Sequence, residues 1–242
     1  MTVEPDLDAV LAEAVGPVAA AGDGSVSVAV LDLESGRSAS YGGAGRTYDT
    51  ASVVKLDILA ALLLRAQDEG REPTAAERTA AAAMIGRSDN ASATALWQAV
   101  GGARGLDAAN ARLGLSETRG ASAWGLTQTT ASDRLRLLVA VFGADSPLDA
   151  DSRACAAALM EGVVAGQDWG VSAAGDRPAL KNGWLPRDAT GLWDINSVGR
   201  VTAGGRVYLV AVVSDGHVTK EAGVALVEDV ARTAVSALGA VL

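Results

Sequence analysis

Two motifs of this chain contain a lysine at a position where it could act as a base. The chain carries three lysines against seventeen arginines, and arginine, unlike a partly buried lysine, does not lose its proton in a protein. Lys55 closes the tetrad Ser-Val-Val-Lys that begins at Ser52, and Lys181 opens the triplet Lys-Asn-Gly. A third motif, Ser-Asp-Asn at 88–90, lies between them. Together the three motifs predict the active site of a serine acyl-transfer enzyme.

Ser52 and Lys55 have the spacing of a nucleophile and its base. They are three residues apart at the predicted start of a helix, so both side chains can share one helix face. A serine hydroxyl is a poor nucleophile until a base takes its proton. Neutral Lys55 can be that base if burial and the cation of Lys181 disfavour its charged form. The unpaired N–H groups and positive potential of a helix N-terminus also suit a developing oxyanion.

The other motif residues have predicted roles in proton transfer and substrate binding. Ser88 would relay the proton to a leaving nitrogen, and Asn90 would hold a substrate amide. Gly183 would let the substrate lie against the edge of a strand, and the N–H groups of Ser52 and Trp184 would form an oxyanion hole. Lys181 would also help to receive an anionic substrate.

Arg200 and three tryptophans are further candidates outside the motifs. Arg200 lies on a predicted strand and could bind a substrate carboxylate, with a surface role as the alternative. Trp124, Trp184 and Trp193 either wall the cleft or pack in the core.

Hydrophobic periodicity and turn residues predict the elements that position these motifs. Helices are predicted over residues 4–20, 52–67, 74–86, 91–100, 105–113, 129–142, 151–165 and 220–238. Strands are predicted over residues 25–31, 37–41, 178–184, 192–203 and 206–214. Because strands from both ends of the chain can share one sheet, the layout predicts an α+β fold: an α/β sandwich lobe with a five-stranded sheet and an inserted all-helical lobe. We predict one domain over residues 1–242, with the α/β lobe at about 1–50 and 175–242 and the helical lobe at about 51–174.

The composition limits the classes of partner. Of the 242 residues, 49% are hydrophobic, and the formal net charge is −9. Such an acidic chain repels nucleic acid and anionic membranes, so neither is a predicted partner. The predicted partner is a small-molecule substrate, and the predicted oligomeric state is a monomer.

Cys155 and the chain start bear on cofactors and compartment. The single cysteine excludes an intrachain disulfide and a zinc–thiolate site, and its apolar helical surroundings predict a buried small hydrophobe. No metal or cofactor is predicted.

The first six residues lack the regions of an export signal, and no stretch approaches the roughly 18 apolar residues of a membrane span. The sequence as it stands predicts a cytoplasmic protein, and it predicts an extracellular or periplasmic one if an export signal has been removed; it does not decide between them.

The chain resembles the penicillin-recognising serine enzymes, and among them the class A β-lactamases most closely. Beyond the three motifs, the resemblance rests on Gly101-Gly102, Gly105-Leu106, Leu113-Gly114, Thr118-Arg119 and Thr129-Thr130-Ala131. It extends over nearly the whole sequence. It implies an antiparallel sheet flanked by terminal helices, plus an all-helical lobe. It also implies acylation of Ser52 by a β-lactam or by an acyl-D-Ala-D-Ala-like peptide.

Three departures from the class A pattern bear on the reaction. Ser88 follows Ser52 by only thirty-six residues, so part of the helical lobe is trimmed. Asn182 replaces the usual threonine or serine, which puts an amide where a substrate carboxylate would bind. Class A enzymes hold a glutamate in an Ω-shaped loop that positions the deacylating water, whereas residues 120–128 here contain no acid. Glu117 and Glu161 are the only glutamates between the second and third motifs, and we consider each as a substitute base.

The sequence therefore predicts attack on the substrate but no route for release of the acyl group. A β-lactamase-like hydrolase with slow or atypical deacylation is one interpretation. A penicillin-binding, D,D-peptidase-like or esterase-like enzyme, or a ligand-binding sensor domain without turnover, is the alternative. A Ser-His-Asp hydrolase is disfavoured, because the only histidine, His217, follows a predicted strand and no Gly-x-Ser-x-Gly motif accompanies it. A lone loop histidine of this kind is predicted to be solvated.

Overall fold

The structure is a computed structural model that describes residues 5–43 and 45–241. Its helices in those ranges are α1 Leu7–Ala21, α2 Val54–Asp68, α3 Ala75–Gly86, α4 Asn90–Ala99, α5 Gly102–Arg112, α6 Ala131–Phe142, α7 Ala150–Glu161 and α8 Lys220–Gly239. Its strands are β1 Ser25–Asp32, β2 Ser38–Tyr41, β3 Tyr48–Asp49, β4 Gln128–Thr129, β5 Asp176–Arg187, β6 Leu192–Ala203 and β7 Arg206–His217. Residue 4, where the first predicted helix begins, lies outside the described residues. Residues 1–3, 44 and 242 of the predicted domain also lie outside them.

Five strands form one antiparallel sheet in the order β2-β1-β7-β6-β5. The two ends of the chain meet where β1 pairs with β7. Helices α1 and α8 pack against each other and cover one face of this sheet, and the helices between β3 and β5 lie on its other side. The predicted α+β fold, with a five-stranded antiparallel sheet flanked by the terminal helices, is confirmed. The boundaries of the two lobes stay a prediction.

Alternation of side chains along the central strand β7 separates two apolar cores. Val210 and Val212 join the core under α8, whereas Leu209 and Ala211 join the core of the inserted helices. Burial on both faces of the sheet explains why β7 is apolar at consecutive positions.

Helix α2 runs through the core of the inserted helices. Twelve of its 15 residues are buried, which explains its nearly continuous apolar sequence. Lys55 lies in this buried stretch, so its amine is held in surroundings of low polarity. Within residues 5–43 and 45–241, no helix combines the length and the apolar character needed to cross a bilayer.

Two of the predicted helix boundaries are corrected, one by a side-chain cap and one by a 3₁₀ helix. The Thr130 hydroxyl accepts a hydrogen bond from the Asp133 N–H at 3.1 Å, so the helix predicted over 129–142 begins at Ala131. Such a cap satisfies one of the otherwise unpaired N–H groups of the first turn. The helix predicted from Ser52 is also divided, because a 3₁₀ helix over Ala51–Val53 precedes α2.

The two-stranded sheet of β3 and β4 was not predicted. Tyr48 pairs with Thr129, and Asp49 pairs with Gln128. A strand of two residues is too short to show a periodic pattern. This small sheet brings the segment 119–129 against the turn that precedes Ser52.

Candidate active site

The turn that carries Ser52 is fixed by hydrogen bonds from two other segments. Ser52 is half-buried, and Ala51 before it has a φ of 46°, in the left-handed region that residues other than glycine rarely adopt. The Thr50 N–H donates to Thr127 O at 2.9 Å, and Asn196 Nδ2 donates to Thr50 O at 3.1 Å. Unusual backbone conformations persist only where surrounding contacts hold them. These bonds therefore set the direction of the Ser52 side chain.

Lys55 is wholly buried, and four oxygen atoms surround its amine. Nζ lies 3.0 Å from Ser52 Oγ, 2.7 Å from Ser88 O, 3.0 Å from Ser88 Oγ and 2.7 Å from Asn90 Oδ1. The carbonyl of Ser88 and the amide oxygen of Asn90 can only accept. A neutral amine has two N–H groups, and donating both to these oxygens leaves its lone pair for a hydroxyl proton. The contacts of Lys55 thus suit a base for Ser52.

Ser88 connects the two lysines. Its Oγ lies 3.0 Å from Lys55 Nζ and 3.1 Å from Lys181 Nζ, which also donates to Asn182 O at 2.8 Å. Ser88 adopts a φ of 57°, and Asp89 follows it as the N-cap of α4, accepting from the Ser92 N–H at 2.7 Å. This arrangement gives Ser88 a path for a proton to and from either amine.

Burial lowers the pKa of both lysines. The pKa of Lys55 falls to about 8, because burial disfavours its charged form more than nearby Asp89 favours it. The pKa of Lys181 falls to about 7, first through burial and then through repulsion by the charge of Lys55. Because the two amines interact, they titrate as a pair. A neutral amine is therefore available close to neutral pH.

Gly183 allows strand β5 to lie directly against the Ser52 turn. A Cβ atom at this position would stand 2.7 Å from Ser52 N, 2.8 Å from Val53 N and 2.9 Å from Thr50 O. All three are backbone atoms, so no side-chain rotation can relieve the contact. The structure shows that Gly183 admits the backbone of the Ser52 turn, and the predicted contact of Gly183 with substrate stays a prediction.

Asn182 does not face the space where a substrate carboxylate was predicted to bind. Its side chain is wholly buried, and Nδ2 donates to Gln167 O at 2.9 Å and to Trp169 O at 2.7 Å. Its Oδ1 accepts from Ser197 Oγ at 2.6 Å. With both amide atoms occupied, Asn182 holds the segment before β5 in place, and the predicted contact with substrate is not supported.

The side chain of Trp184 lies away from Lys55 and Lys181. It packs with the core under α8, where its ring centroid is 6.1 Å from that of Trp169 and 4.3 Å from Lys220 Nζ. Trp193 joins the same core. β5 is the edge strand of the sheet, so Trp184 can contribute its backbone to an oxyanion hole but not its ring to the wall of the cleft.

The side chain of Arg200 lies away from Lys55 and Lys181. Its Nη2 donates to Glu161 Oε1 at 2.6 Å, and its guanidinium lies 4.8 Å from the ring centroid of Phe142. These contacts are with α7 and α6. Within the described residues, Arg200 has no hydrogen bond to Ser52 or Ser88. The predicted role of Arg200 in carboxylate binding is therefore not supported.

Trp124 forms a wall over Lys55. Its ring centroid lies 4.9 Å from Lys55 Nζ, and Nε1 donates to Thr94 Oγ1 of α4 at 3.1 Å. The loop around Trp124 closes where Arg119 and Gln128 exchange backbone hydrogen bonds of 2.9 and 3.0 Å. The sequence left open whether Trp124 walls the cleft or packs in the core, and the structure places it beside the amine and also against the core of the inserted helices.

Neither glutamate considered as a substitute base contacts Ser52 or Lys55. Glu117 accepts from Thr130 Oγ1 at 3.2 Å, and Glu161 accepts from Arg200. Among the described residues, no glutamate or aspartate has a hydrogen bond to Ser52 or Lys55. The base nearest the Ser52 hydroxyl is Lys55 itself.

His217 is buried rather than solvated, and it lies between Ser214 and Asp23. Its Nε2 is 2.9 Å from Ser214 Oγ, and its Nδ1 is 3.1 Å from Asp23 Oδ1. Ser214 is itself wholly buried and donates its hydroxyl proton to Ile195 O. A nucleophile needs access to substrate and a proton to give to its histidine, and Ser214 has neither. The three residues link the segment before β1 to the last residues of β7. They do not form a second hydrolytic site.

Residues 5–43 and 45–241 contain no cluster of side chains suited to bind a metal ion. No group of three or more histidine, cysteine, aspartate or glutamate side chains there could hold a metal ion. Cys155 is half-buried on α7, and burial raises the pKa of its thiol. The site's chemistry rests on hydroxyls, amines and backbone groups.

Residues 72–238 match the β-lactamase enzyme family. The matched segment includes Ser88 and Lys181, whereas Ser52 and Lys55 precede it. Among curated proteins no match was found.

Solved structures of similar fold cover nearly the whole chain. A class A β-lactamase from Bacteroides cellulosilyticus has a TM-score of 0.83 at 16% identity, covering 98% of this chain and 99% of that one. The TLA-1 extended-spectrum β-lactamase has a TM-score of 0.86 at 16% identity, covering 96% and 99%. A mutant of PBP-A, solved as an acyl-enzyme complex with penicillin G, has a TM-score of 0.80 at 22% identity, covering 99% and 100%. At these identities the likeness shows the shared fold.

Proposed function

Because this chain belongs to the β-lactamase enzyme family, we propose that Ser52 forms an acyl-enzyme with β-lactams or with D-Ala-D-Ala-like amides, and that this acyl-enzyme is released slowly. The observation that supports acylation is the 3.0 Å separation of Lys55 Nζ and Ser52 Oγ, with both Lys55 and Lys181 buried. The similarity in fold to PBP-A, solved with bound penicillin G, is in accord with this substrate class.

Acylation follows from the contacts of the two serines and two lysines. Ser52 Oγ attacks the amide carbonyl carbon while its proton passes to neutral Lys55. The C–N bond then breaks, and Ser88 Oγ, 3.0 Å from Lys55 Nζ, delivers a proton to the leaving nitrogen. Lys55 passes the proton taken from Ser52 to Ser88, and Lys181, 3.1 Å from Ser88 Oγ, holds that hydroxyl in position. The N–H groups of Ser52 and Trp184 receive the negative charge on the carbonyl oxygen.

Slow release follows from the missing acid. The segment 120–128 supplies no carboxylate, and Glu117 and Glu161 are held elsewhere by Thr130 and Arg200. A deacylating water at this site therefore lacks a carboxylate base like the loop glutamate of class A enzymes. The same lack favours a second candidate, a penicillin-binding D,D-peptidase-like enzyme, which needs no such glutamate.

Intact mass spectrometry tests acylation directly. After incubation with a penicillin, wild-type protein is expected to gain the mass of the antibiotic, and Ser52→Ala is expected to gain none. A chromogenic cephalosporin measures turnover, and an acyl-D-Ala-D-Ala peptide separates the two candidates. No adduct and no turnover with any of these would contradict the substrate assignment.

Acylation should accelerate as pH rises through the pKa of Lys55. The neutral amine is the reactive form of the base, and its pKa is about 8. Below that pH each unit should raise the acylation rate constant about tenfold, with a plateau above it. Mass-spectrometric time courses from pH 6 to 9, with a penicillin stable over this range, check the profile. A rate constant independent of pH would show that proton transfer to Lys55 does not limit acylation.

A further inference from the structure

We propose that Trp124 excludes water from the base side of the acyl-enzyme and thereby lengthens its lifetime. This inference rests on the proposed acylation of Ser52. It adds a residue that determines how the acyl-enzyme reacts: the indole occupies the space beside Lys55 where a hydrolytic water would meet its base.

The surroundings of Lys55 Nζ leave one side for such a water, and Trp124 covers it. Four contacts with Ser52, Ser88 and Asn90 occupy the polar side of the amine at 2.7–3.0 Å. The indole ring lies 4.9 Å away, within the distance of a cation–π contact. A ring at that separation leaves no gap that a water molecule could enter between it and the amine.

The step that Trp124 obstructs needs a water at this position. Hydrolysis requires the water oxygen to attack the carbonyl carbon of the Ser52 ester, forming a C–O bond as the bond to Oγ breaks. One water proton passes to a base and returns to Oγ. Among the described residues, Lys55 is the base within hydrogen-bond distance of Ser52 Oγ, so the attacking water must lie beside its amine.

Contacts on both sides hold the indole in place. Nε1 donates to Thr94 Oγ1 at 3.1 Å, and the next residues of the loop return to the Ser52 turn, where the Thr50 N–H donates to Thr127 O at 2.9 Å. The paired residues Arg119 and Gln128 close the loop at its neck. The ring is therefore a fixed wall rather than a side chain free to rotate away.

A buried ion pair anchors this neck to α2, the helix that carries Lys55. Nη1 and Nη2 of Arg134 both contact the carboxylate of Asp57 on α2, and both side chains are wholly inaccessible to solvent. Arg134 Nε also donates to Thr129 Oγ1 at 2.8 Å, and Nη2 donates to Thr118 Oγ1 at 3.2 Å. The loop and the helix that bears Lys55 are thus linked by one network, which keeps the indole and the amine in register.

Removal of the ring is the central test. In Trp124→Ala the deacylation rate constant is expected to rise at least about tenfold, equivalent to about 1.4 kcal/mol of barrier. Trp124→Phe retains an aromatic face and should stay within about threefold of wild type. The enzyme is first acylated fully with a penicillin, excess antibiotic is removed, and loss of the adduct is followed by intact mass spectrometry. Because the measurement begins from the acyl-enzyme, changes in acylation rate do not enter it.

Two further variants control for stability and for loss of a tryptophan as such. Trp193→Ala removes an indole from the core under α8 and should leave the lifetime of the adduct unchanged. Thr94→Val removes the hydrogen bond to the indole but keeps the ring, and should shorten the lifetime less than Trp124→Ala. It also provides a result if Trp124→Ala does not fold.

The outcomes separate this inference from the proposed function. A wild-type protein that forms no adduct overturns the acylation on which both rest. A stable wild-type adduct whose lifetime is the same in Trp124→Ala, or in Thr94→Val where the first variant fails to fold, overturns the role of Trp124 alone. An equal acceleration in Trp193→Ala also overturns it, because the effect would then reflect general loosening of the fold.

Discussion

Replacing Lys55 with methionine is expected to slow acylation of Ser52 about a thousandfold, within the range contributed by a positioned general base. Methionine fills much of the space of the lysine stem but offers no lone pair to the hydroxyl 3.0 Å away. Lys55→Arg should be as inactive, because a guanidinium does not lose its proton. The measurement is the second-order rate constant for adduct formation with a penicillin.

The third lysine supplies the matched control for this prediction. Lys220 lies at the start of α8 with its Nζ over the ring of Trp184, outside the group of atoms around Ser52. Lys220→Met should acylate within about threefold of wild type. If Lys55→Met acylated as fast as the control, the base would have to be another group, and Lys181→Met would be the next variant to measure.

Replacing Gly183 with alanine is the second change with a large expected effect. The added Cβ would stand 2.7 Å from Ser52 N, so β5 and the Ser52 turn must separate. Overpacking of this kind costs about 1–3 kcal/mol of unfolding free energy, which lowers Tm by about 2–4 °C for each kcal/mol in a protein of this size. Displacing the Ser52 N–H from its position should also slow acylation about a hundredfold, the scale for loss of one oxyanion donor.

Gly16→Ala is the control for Gly183→Ala. Gly16 lies in α1, where an added Cβ would have its nearest contact at 4.0 Å. Alanine is the better helix former, but Pro17 follows it and its ring disfavours a helical residue with a Cβ before it, so this variant should stay within about 1 kcal/mol of the wild-type stability and be equally reactive. Calorimetry and adduct formation measure the two properties separately. A Gly183→Ala variant with unchanged Tm and unchanged acylation would show that the close approach of β5 is not required.

The sequence predicted the fold and the nucleophile cluster because both depend on residue type at a fixed spacing. Apolar periodicity located the helices, and strands near both ends of the chain indicated one sheet, which the structure confirms. Each of the motifs around Ser52, Ser88 and Lys181 is a short local pattern that the sequence shows directly, and the structure brings the three together.

Asn182 shows where motif reasoning failed although the sequence contained the answer. Successive side chains of a strand point to opposite faces, so Lys181 and Gly183 share one face of β5, and Asn182 and Trp184 share the other. Reading the triplet as one functional unit ignored this alternation. The buried amide of Asn182 and the ring of Trp184 under α8 are the result.

Trp124 and His217 could not be located from the sequence. Trp124 is 69 positions from Lys55 (124 − 55), and the strands that bring the two together have two residues each. His217 is buried because Gly24 and Gly223 leave room for its ring: a Cβ at either position would stand 2.5–2.8 Å from imidazole atoms. Contacts of this kind depend on tertiary packing and have no local pattern.

The paired neck at Arg119 and Gln128 also bears on how such a protein can diverge. We expect substitutions among residues 120–126 to leave intact the backbone pairing, the Arg134–Asp57 anchor below it and the hydrogen bond from the Thr50 N–H to Thr127 O. The groups proposed to react lie on other segments: Ser52 on the 3₁₀ helix before α2, Ser88 in the turn before α4, and Lys181 on β5. Under the proposed mechanism, substitutions confined to one short loop can therefore change the lifetime of the acyl group while the groups that form it stay in place.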